Sequence, residues 1–225
     1  VHTPIQAKPR LAAEYAKRAT AGGHTNAKYA AMVETMDAGV GRVLAALDEM
    51  KIADNTLVIF TSDNGGLGGY TSADPKLPNG ITDNAPLKGG KGMLYEGGIR
   101  EPLIAHWPGK ISAGSRCLDA VIGLDLYPTL MELAGLPEDE SLDARSLGPF
   151  LRPGAKEAPD RVAVIETSGS RIALRNQKWK YILTYSGSPK ENLFDLQADP
   201  GETKDVAERN DEVLSTLRMQ VLEYL

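Results

Sequence analysis

The chain has 225 residues, of which 25 are Lys or Arg and 30 are Asp or Glu, so its formal net charge is −5. This acidic balance argues against a nucleic-acid-binding protein, which usually carries a basic excess. Apolar residues make up 42% of the chain and charged residues 24%, which is typical of a globular protein rather than a disordered one. The single cysteine excludes an internal disulfide framework and a cysteine-based zinc site.

The first half of the chain predicts an α/β fold. Residues 10–21 favour a short helix that two glycines end, and residues 27–50 predict a longer helix with an apolar stripe. Residues 56–62 (TLVIFTS) are nearly continuously apolar, so we predict a buried central strand. Further strands are predicted at 102–107 and, shorter, at 121–124. No apolar run approaches the roughly 20 residues that span a bilayer, so we predict no membrane span.

The second half predicts a change of architecture. Asp125 is expected to cap a helix that ends at Gly135. Residues 137–160 are rich in Pro, Gly and charge, which favours a boundary between a domain at 1–155 and a small one at 156–225. For the small domain we predict an antiparallel sheet with one helix packed on it, from strands at 161–166, 171–175, 179–185 and 192–196 and a helix at 211–225.

Asp63 and Asn64 directly follow the predicted central strand. Ligands of open α/β sheets bind beyond the carboxyl ends of the strands. A carboxylate and an amide oxygen are hard ligands that suit Ca²⁺ or Mg²⁺. The tetrapeptide D-N-G-G is also good turn chemistry, and the residues alone leave both interpretations open.

Lys91 and His2 are two further candidates. Lys91 stands in G-G-K-G, where glycines expose the lysine and let backbone N–H groups face an anion. Its spacing excludes a nucleotide-binding P-loop, and a solvated surface lysine is the alternative. His2 precedes Thr3-Pro4, and it is either an exposed side chain or a proton donor and anion ligand.

Several segments together resemble the sulfatase family. Residues 85–109 (APLKGGKGMLYEGGIREPLIAHWPG) contain the highly specific core G-K-G-x-x-x-E-G-G-x-R-x-P. Residues 2–4 resemble the family's H-x-P element, 61–65 its metal-binding strand end, and 194–202 its C-terminal subdomain. The resemblance covers essentially the whole chain. It implies an α/β fold with an alkaline-phosphatase-like sheet flanked by helices, incomplete here, and a small C-terminal antiparallel sheet plus helix.

The resemblance implies calcium-assisted hydrolysis of a sulfate ester. By similarity, Asp63 and Asn64 would be two of the four side-chain calcium ligands. Lys91 would contact the sulfate and assist the leaving oxygen, and His2 would also reach the sulfate ester. The implied substrate is a carbohydrate or aryl sulfate, and the implied location is the periplasm or the medium.

The family's nucleophile is expected upstream of this chain. A sulfatase makes its formylglycine from Cys or Ser in C-x-[PA]-x-R, and Cys117 is followed by Leu-Asp-Ala-Val, which does not match. The remaining calcium ligands of the family precede its H-x-P element. The chain begins at Val1 without a Met, so we expect it to be the C-terminal portion of a sulfatase. Its partner would be the missing N-terminal portion, and alone it would be inactive.

Two alternatives remain open at this stage. One is a phosphatase, phosphodiesterase or phosphonate hydrolase of the wider alkaline-phosphatase-like superfamily, which shares the fold and the anion chemistry. The other is a non-catalytic fragment or binding module. The identity of the nucleophile separates the two enzyme classes, because only sulfatases need the formylglycine motif.

Overall fold

The structure, a computed structural model, is described over residues 1–18, 24–68, 81–137, 139, 141–151, 161–167 and 170–225. The chain divides into two compact units: unit 1 comprises Val1–Thr56, Phe60–Leu103 and Pro200–Thr203, and unit 2 comprises Leu57–Ile59, Ile104–Asp199 and Lys204–Leu225. The predicted glycine stop at 22–23 and the boundary at 155/156 lie outside the described residues. The division into domains at 1–155 and 156–225 therefore stays a prediction.

Unit 1 begins with two helices. Helix α1 spans Pro9–Tyr15 and is shorter than predicted, whereas α2 spans Ala27–Glu49 and confirms the long predicted helix. The Asn26 side chain caps α2 by accepting the N–H of Tyr29 at 3.0 Å. None of the helices in the described ranges has both the length and the apolar character needed to cross a membrane.

The apolar stripe of α2 is only partly covered. Ala31 is the one residue of α2 that is fully buried, although the stripe was predicted from spacings of three and four. Val43 is 57% exposed and Met50 is 66% exposed. The periodicity therefore correctly predicted the helix and its apolar face, but the described residues cover only part of that face.

Two short strands flank the glycine-rich segment. Strand β1 spans Val58–Thr61 and strand β2 spans Leu103–His106, and the two pair in a two-stranded sheet. The expectation of a fully buried β1 is wrong for this chain: residues 58–60 are half-buried and Thr61 is exposed. The reason is that, among the described residues, β2 is the only strand paired with it. A four-residue helix, α3 (Glu96–Ile99), lies between β1 and β2 in the sequence.

The segment before α4 (Leu126–Leu133) forms a 3₁₀ turn over Gly123–Asp125, so the strand predicted at 121–124 is wrong. Asp125 is fully buried, and its carboxylate accepts the N–H of Ile122 at 2.9 Å. The guanidinium of Arg161 donates to both carboxylate oxygens, at 2.9 and 2.5 Å. Asp125 stands at the N-cap position of α4, as predicted, but its side chain makes no capping hydrogen bond, because the turn and the ion pair already use this carboxylate.

A short helix, α5 (Gly148–Leu151), follows α4.

The C-terminal part of unit 2 is an antiparallel meander with a helix packed on it, as predicted. Its strands pair in the order β3-β4-β5-β6, and their bounds are Ala163–Thr167, Arg171–Arg175, Trp179–Thr184 and Lys190–Asp195. Helix α6 (Asp211–Leu222) contributes Leu217 and Val221 to a core shared with the sheet residues Ile172, Leu174, Tyr181 and Leu193. Burial of these apolar side chains is the main force that joins α6 to the sheet.

A charged network also ties α6 to the sheet. Arg218 donates from Nε and Nη2 to the two carboxylate oxygens of Glu191, each at 2.6 Å, and the Tyr181 hydroxyl donates to Glu191 at 2.5 Å. The hydrogen bonds from Arg218 are the main reason that the pKa of Glu191 is lowered from its ordinary value of 4.5. A depressed carboxyl pKa contributes stability that is present above the ordinary value and lost as the pH falls through the depressed one.

We therefore predict that Glu191→Gln lowers the free energy of unfolding by about 1 kcal/mol at pH 7, a small value because the ion pair is partly exposed. The difference from the wild type should shrink as the pH falls below 4.5, because the carboxyl group is then protonated first in the unfolded chain and, at still lower pH, in the folded one. Urea denaturation at pH 7 and pH 3.5 measures both quantities. Glu223→Gln, at an exposed position beyond α6, is the matched control. A difference that stays constant with pH would contradict the assignment.

Candidate functional site

The turn after β1 presents the two predicted metal ligands. The hydroxyl of Ser62 donates to the carbonyl of Asn64 at 2.8 Å, which closes the turn and leaves the side chain of Asp63 exposed. The amide nitrogen of Asn64 donates to the Gly65 carbonyl at 3.2 Å, so its oxygen Oδ1 is the atom that can bind a ligand. The turn and the metal-ligand interpretations are therefore compatible, because the turn itself exposes the oxygen atoms.

The backbone around this turn is packed too closely for any side chain. The N–H of Gly65 donates to the carbonyl of Gly98 at 3.0 Å. A Cβ added at Gly65 would lie 1.9 Å from the carbonyl oxygen of Gly97, far inside van der Waals contact. The D-N-G turn and the E-G-G segment of α3 are therefore in direct backbone contact, and glycine is required at the point where they meet.

The lysine loop, residues 88–98, packs against the same turn. The N–H of Lys91 donates to the carbonyl of Gly66 at 3.1 Å, and a Cβ at Gly90 would lie 2.5 Å from that carbonyl oxygen. The Asn84 side chain joins the two segments by donating to the carbonyls of Gly66 at 3.0 Å and Gly89 at 2.9 Å. The sequence reasoning missed this role of Asn84, because nothing in its spacing distinguishes it from an ordinary loop residue.

The ammonium group of Lys91 is available to an anion. Its side chain is half-buried, and it forms no hydrogen bond or ion pair with any of the residues that the structure describes. Gly92, which follows it, has a φ of +79°, a conformation that favours glycine. A half-buried ammonium without an acidic partner favours anion binding more than a fully solvated one does, because less water screens it.

Glu101 lies close enough to Asp63 for the two carboxylates to interact electrostatically. Burial, and then the charge of Asp63, raise the pKa of Glu101. The Glu101 oxygen Oε1 is buried and has no hydrogen-bond partner among the residues that the structure describes. Two carboxylates that repel each other, one of them with an orphaned oxygen, are an environment that a hard divalent cation would stabilise. No sequence pattern indicated Glu101, because it lies in the loop before β2 rather than in the turn after β1.

Asp63 and Asn64 thus fit a calcium ion by the type and availability of their oxygen atoms. Within the described ranges, no group of three or more His, Cys, Asp or Glu side chains converges on one point to hold a metal. The assignment of Asp63 and Asn64 as metal ligands therefore stays a prediction.

His2 is not joined to the other candidates by any described contact. Its side chain is exposed, and its ring nitrogen Nδ1 donates to the carbonyl of Thr3 at 2.8 Å. The structure therefore brings together the Asp63-Asn64 turn and the Lys91 loop, whereas a role of His2 at the site stays a prediction.

Comparison with known proteins places the chain in a family. The model of the sulfatase family matches residues 1–136, and that of the N-sulphoglucosamine sulphohydrolase C-terminal region matches residues 90–224. A sulfatase of Formosa agariphila is 36% identical over 93% of this chain, which covers 41% of that protein. The N-acetylgalactosamine-6-sulfatase of Canis lupus familiaris is 34% identical over 84% of this chain, which covers 35% of that protein.

Solved structures agree with these matches. The crystal structure of Ps i-CgsB in complex with k-i-k-neocarrahexaose has 33% sequence identity and a TM-score of 0.77, and it covers 99% of this chain and 47% of its own. The structure of BT4656 in complex with its substrate D-glucosamine-2-N,6-O-disulfate has 26% identity, a TM-score of 0.69 and coverages of 96% and 44%. The expected fold class is confirmed by these neighbours. The chain spans less than half the length of each protein compared here.

The contact at Gly65 leads to a matched pair of variants. We predict that Gly65→Ala lowers the free energy of unfolding by more than about 2 kcal/mol, because its Cβ would overlap backbone atoms that cannot move aside independently. Gly41→Ala, inside α2 with open space around it, should instead raise stability by about 0.5–1 kcal/mol. Denaturant titration of both variants measures the difference. A Gly65→Ala protein as stable as the wild type would contradict the close approach of the two segments.

Proposed function

This chain belongs to the sulfatase family, and we propose that the protein hydrolyses the sulfate ester of a sulfated carbohydrate. The observation that carries the proposal is the backbone contact between the Lys91 loop and the Asp63-Asn64 turn, which joins a cation without an acidic partner in the described part of the chain to a pair of oxygen ligands. The carbohydrate is supported by the relatives, among them an N-acetylgalactosamine-6-sulfatase and structures in complex with k-i-k-neocarrahexaose and with D-glucosamine-2-N,6-O-disulfate.

In this proposal Lys91 binds the sulfate and protonates or stabilises the leaving oxygen. Its ammonium is compact, carries three N–H donors and has no acidic partner among the described residues, so its charge acts on the bound anion. Negative charge develops on the departing alkoxide as the S–O bond breaks, and a cation held close to that oxygen lowers the barrier. His2 is proposed as the second group that reaches the sulfate ester.

Asp63 and Asn64 are proposed as calcium ligands. Their available oxygen atoms and the repulsion between Asp63 and Glu101 support a divalent cation at this turn. Sulfatases generally use a metal and a formylglycine, and a metal ion, when bound, neutralises the charge of the sulfate oxygens. The formylglycine motif does not occur in the 225 residues, so we propose that the nucleophile and the other ligands come from sequence upstream. By family resemblance, we also propose export to the periplasm or the medium.

The family matches favour this proposal over the phosphatase and phosphonate hydrolase alternatives. Both family models that match are of sulfatases, and together they extend from residue 1 to residue 224. The non-catalytic alternative predicts that the site residues can be replaced without any effect on turnover. Replacement of Lys91 and of Asp63 therefore separates the catalytic from the non-catalytic interpretation.

The first prediction concerns Lys91. In the polypeptide that carries the complete sulfatase sequence, Lys91→Ala should lower kcat on a sulfate ester by about 10²–10³-fold, the usual effect of removing one electrostatic contact to the transition state. Lys91→Arg should restore activity only partly, because a planar guanidinium does not replace a compact ammonium. Lys110→Ala removes an exposed lysine outside the loop and is the control. Wild-type turnover by Lys91→Ala would contradict the assignment.

The second prediction concerns Asp63. In the same complete polypeptide, Asp63→Ala should weaken calcium binding at least about tenfold, because it removes one charged ligand from the ion. Calorimetric titration with CaCl₂ measures the affinity without relying on turnover. Asp48→Ala removes an exposed carboxylate from α2 and should leave calcium binding unchanged. Unchanged affinity in Asp63→Ala would show that Asp63 and Asn64 form only a turn.

A further inference from the structure

Glu202 is a buried acidic residue with an unusual backbone conformation. It belongs to unit 1, although it is more than 100 residues from the lysine loop in sequence. Its exposed fraction is 0%, and its φ of +51° lies in the left-handed region that residues other than glycine rarely adopt. A buried carboxylate on a strained backbone persists only where the surrounding contacts compensate for its cost, and such positions cluster at functional sites.

Glu202 contacts both ends of the lysine loop, residues 88–98. Its carboxylate oxygen Oε2 accepts the N–H of Glu96 at 2.6 Å. Its main-chain carbonyl accepts a hydrogen bond from Nζ of Lys88 at 3.1 Å. One residue therefore binds the beginning and the end of the loop, through two different acceptor groups.

The two ends of the loop are also bound to each other. The N–H of Gly97 donates to the carbonyl of Lys88 at 2.8 Å, and the ammonium of Lys88 lies 4.1 Å from the centroid of the Tyr95 ring. A cation above an aromatic ring is attracted to its face. Lys88, Tyr95 and Glu96 thus form the closed base of the loop, and Lys91 lies between them in sequence.

The loop touches the Asp63-Asn64 turn in two places, directly after its base and at Lys91. Gly97 and Gly98 pack directly on Gly65, and the N–H of Lys91 donates to the carbonyl of Gly66. A displacement of the base would therefore move Lys91 and the turn relative to each other. Misplacement of a catalytic group by about 1 Å can lower the rate by about 10²-fold.

We propose that Glu202 is a positioning residue of the sulfate site, which acts through the lysine loop rather than by touching the substrate. The proposal rests on the sulfate chemistry proposed above for Lys91. The ordering of the loop does not depend on that chemistry, because it arises from the hydrogen bond between the carboxylate of Glu202 and the N–H of Glu96. Glu202, which is distant from the lysine loop in sequence, thereby sets the geometry of that loop.

The first experiment tests the ordering in the 225-residue chain itself. Glu202→Gly removes the carboxylate and suits the positive φ, so it deletes the hydrogen bond without adding backbone strain. Glu202→Gln keeps a carbonyl oxygen that can accept the N–H of Glu96. The exposed residue Glu208 supplies the control, Glu208→Ala. The measurement is amide hydrogen exchange at Glu96 and Gly97, with strand β5 as the internal reference.

We expect exchange at Glu96 and Gly97 to become at least about tenfold faster in Glu202→Gly, with β5 unchanged, because only the base of the loop opens. Glu202→Gln and Glu208→Ala should stay within about threefold of the wild type. Unchanged exchange in Glu202→Gly would overturn the proposal, and so would a Gln variant as fast as the Gly variant. Equal acceleration in β5 would show global destabilisation and would also overturn it.

The second experiment measures turnover in the complete sulfatase polypeptide. Glu202→Gly should lower kcat by about 10–100-fold with little change in KM, because misplaced Lys91 loses contact with the transition state more than with the ground state. Glu202→Gln should recover most of the rate. If Lys91→Ala has wild-type turnover, the proposed sulfate chemistry is wrong. The hydrogen-exchange result still decides whether Glu202 orders the base of the loop. Unchanged kcat in Glu202→Gly beside a defective Lys91→Ala overturns the positioning role.

Discussion

The close approach of two backbone segments at Gly65 is the constraint on which the candidate site depends. A Cβ added at Gly65 would lie only 1.9 Å from the Gly97 carbonyl oxygen, so no other residue fits there unless the backbone moves. This contact lets the turn after β1 and the base of the lysine loop share hydrogen bonds directly, without side chains between them. Rigid backbone contacts of this kind hold functional groups more exactly in place than flexible side chains do.

Local structure was predictable from the sequence because short-range rules determine it. The meander of four strands and the helix α6 follow from alternating apolar residues and clear turn residues, and all five elements lie near their predicted positions. The N-cap position of Asp125 was predicted correctly but the use of its side chain was not, because a good capping residue is also a good partner for a guanidinium, and Arg161 lies 36 residues away. Competition between local and distant partners for one carboxylate cannot be read from spacing.

The same distinction applies to the candidate site. The adjacency of Asp63, Asn64 and a strand end is local, so the sequence predicted that these oxygens would be presented together. The contact of Glu202 with Glu96 spans 106 residues, and that of Asn84 with Gly66 spans 18, so no periodic pattern indicated them. Burial was predicted less well than secondary structure, because hydrophobic periodicity reports which face of an element is apolar and not how much of it is covered. The half-buried β1 and the exposed Met50 both illustrate this.

The charges at the site are arranged so that an anion and a cation would support each other's binding. Lys91 supplies a positive charge that has no acidic partner among the described residues, whereas Asp63 and Glu101 supply neighbouring negative charges. Burial, and then the charge of Asp63, raise the pKa of Glu101. Without a cation, these carboxylates would oppose the approach of a sulfate group to Lys91. A divalent ion bound at Asp63 would reverse that local field and add its positive charge to that of Lys91. Because the turn and the lysine loop share one backbone frame, the two binding events are expected to be coupled, with each ligand increasing the affinity for the other by the same factor.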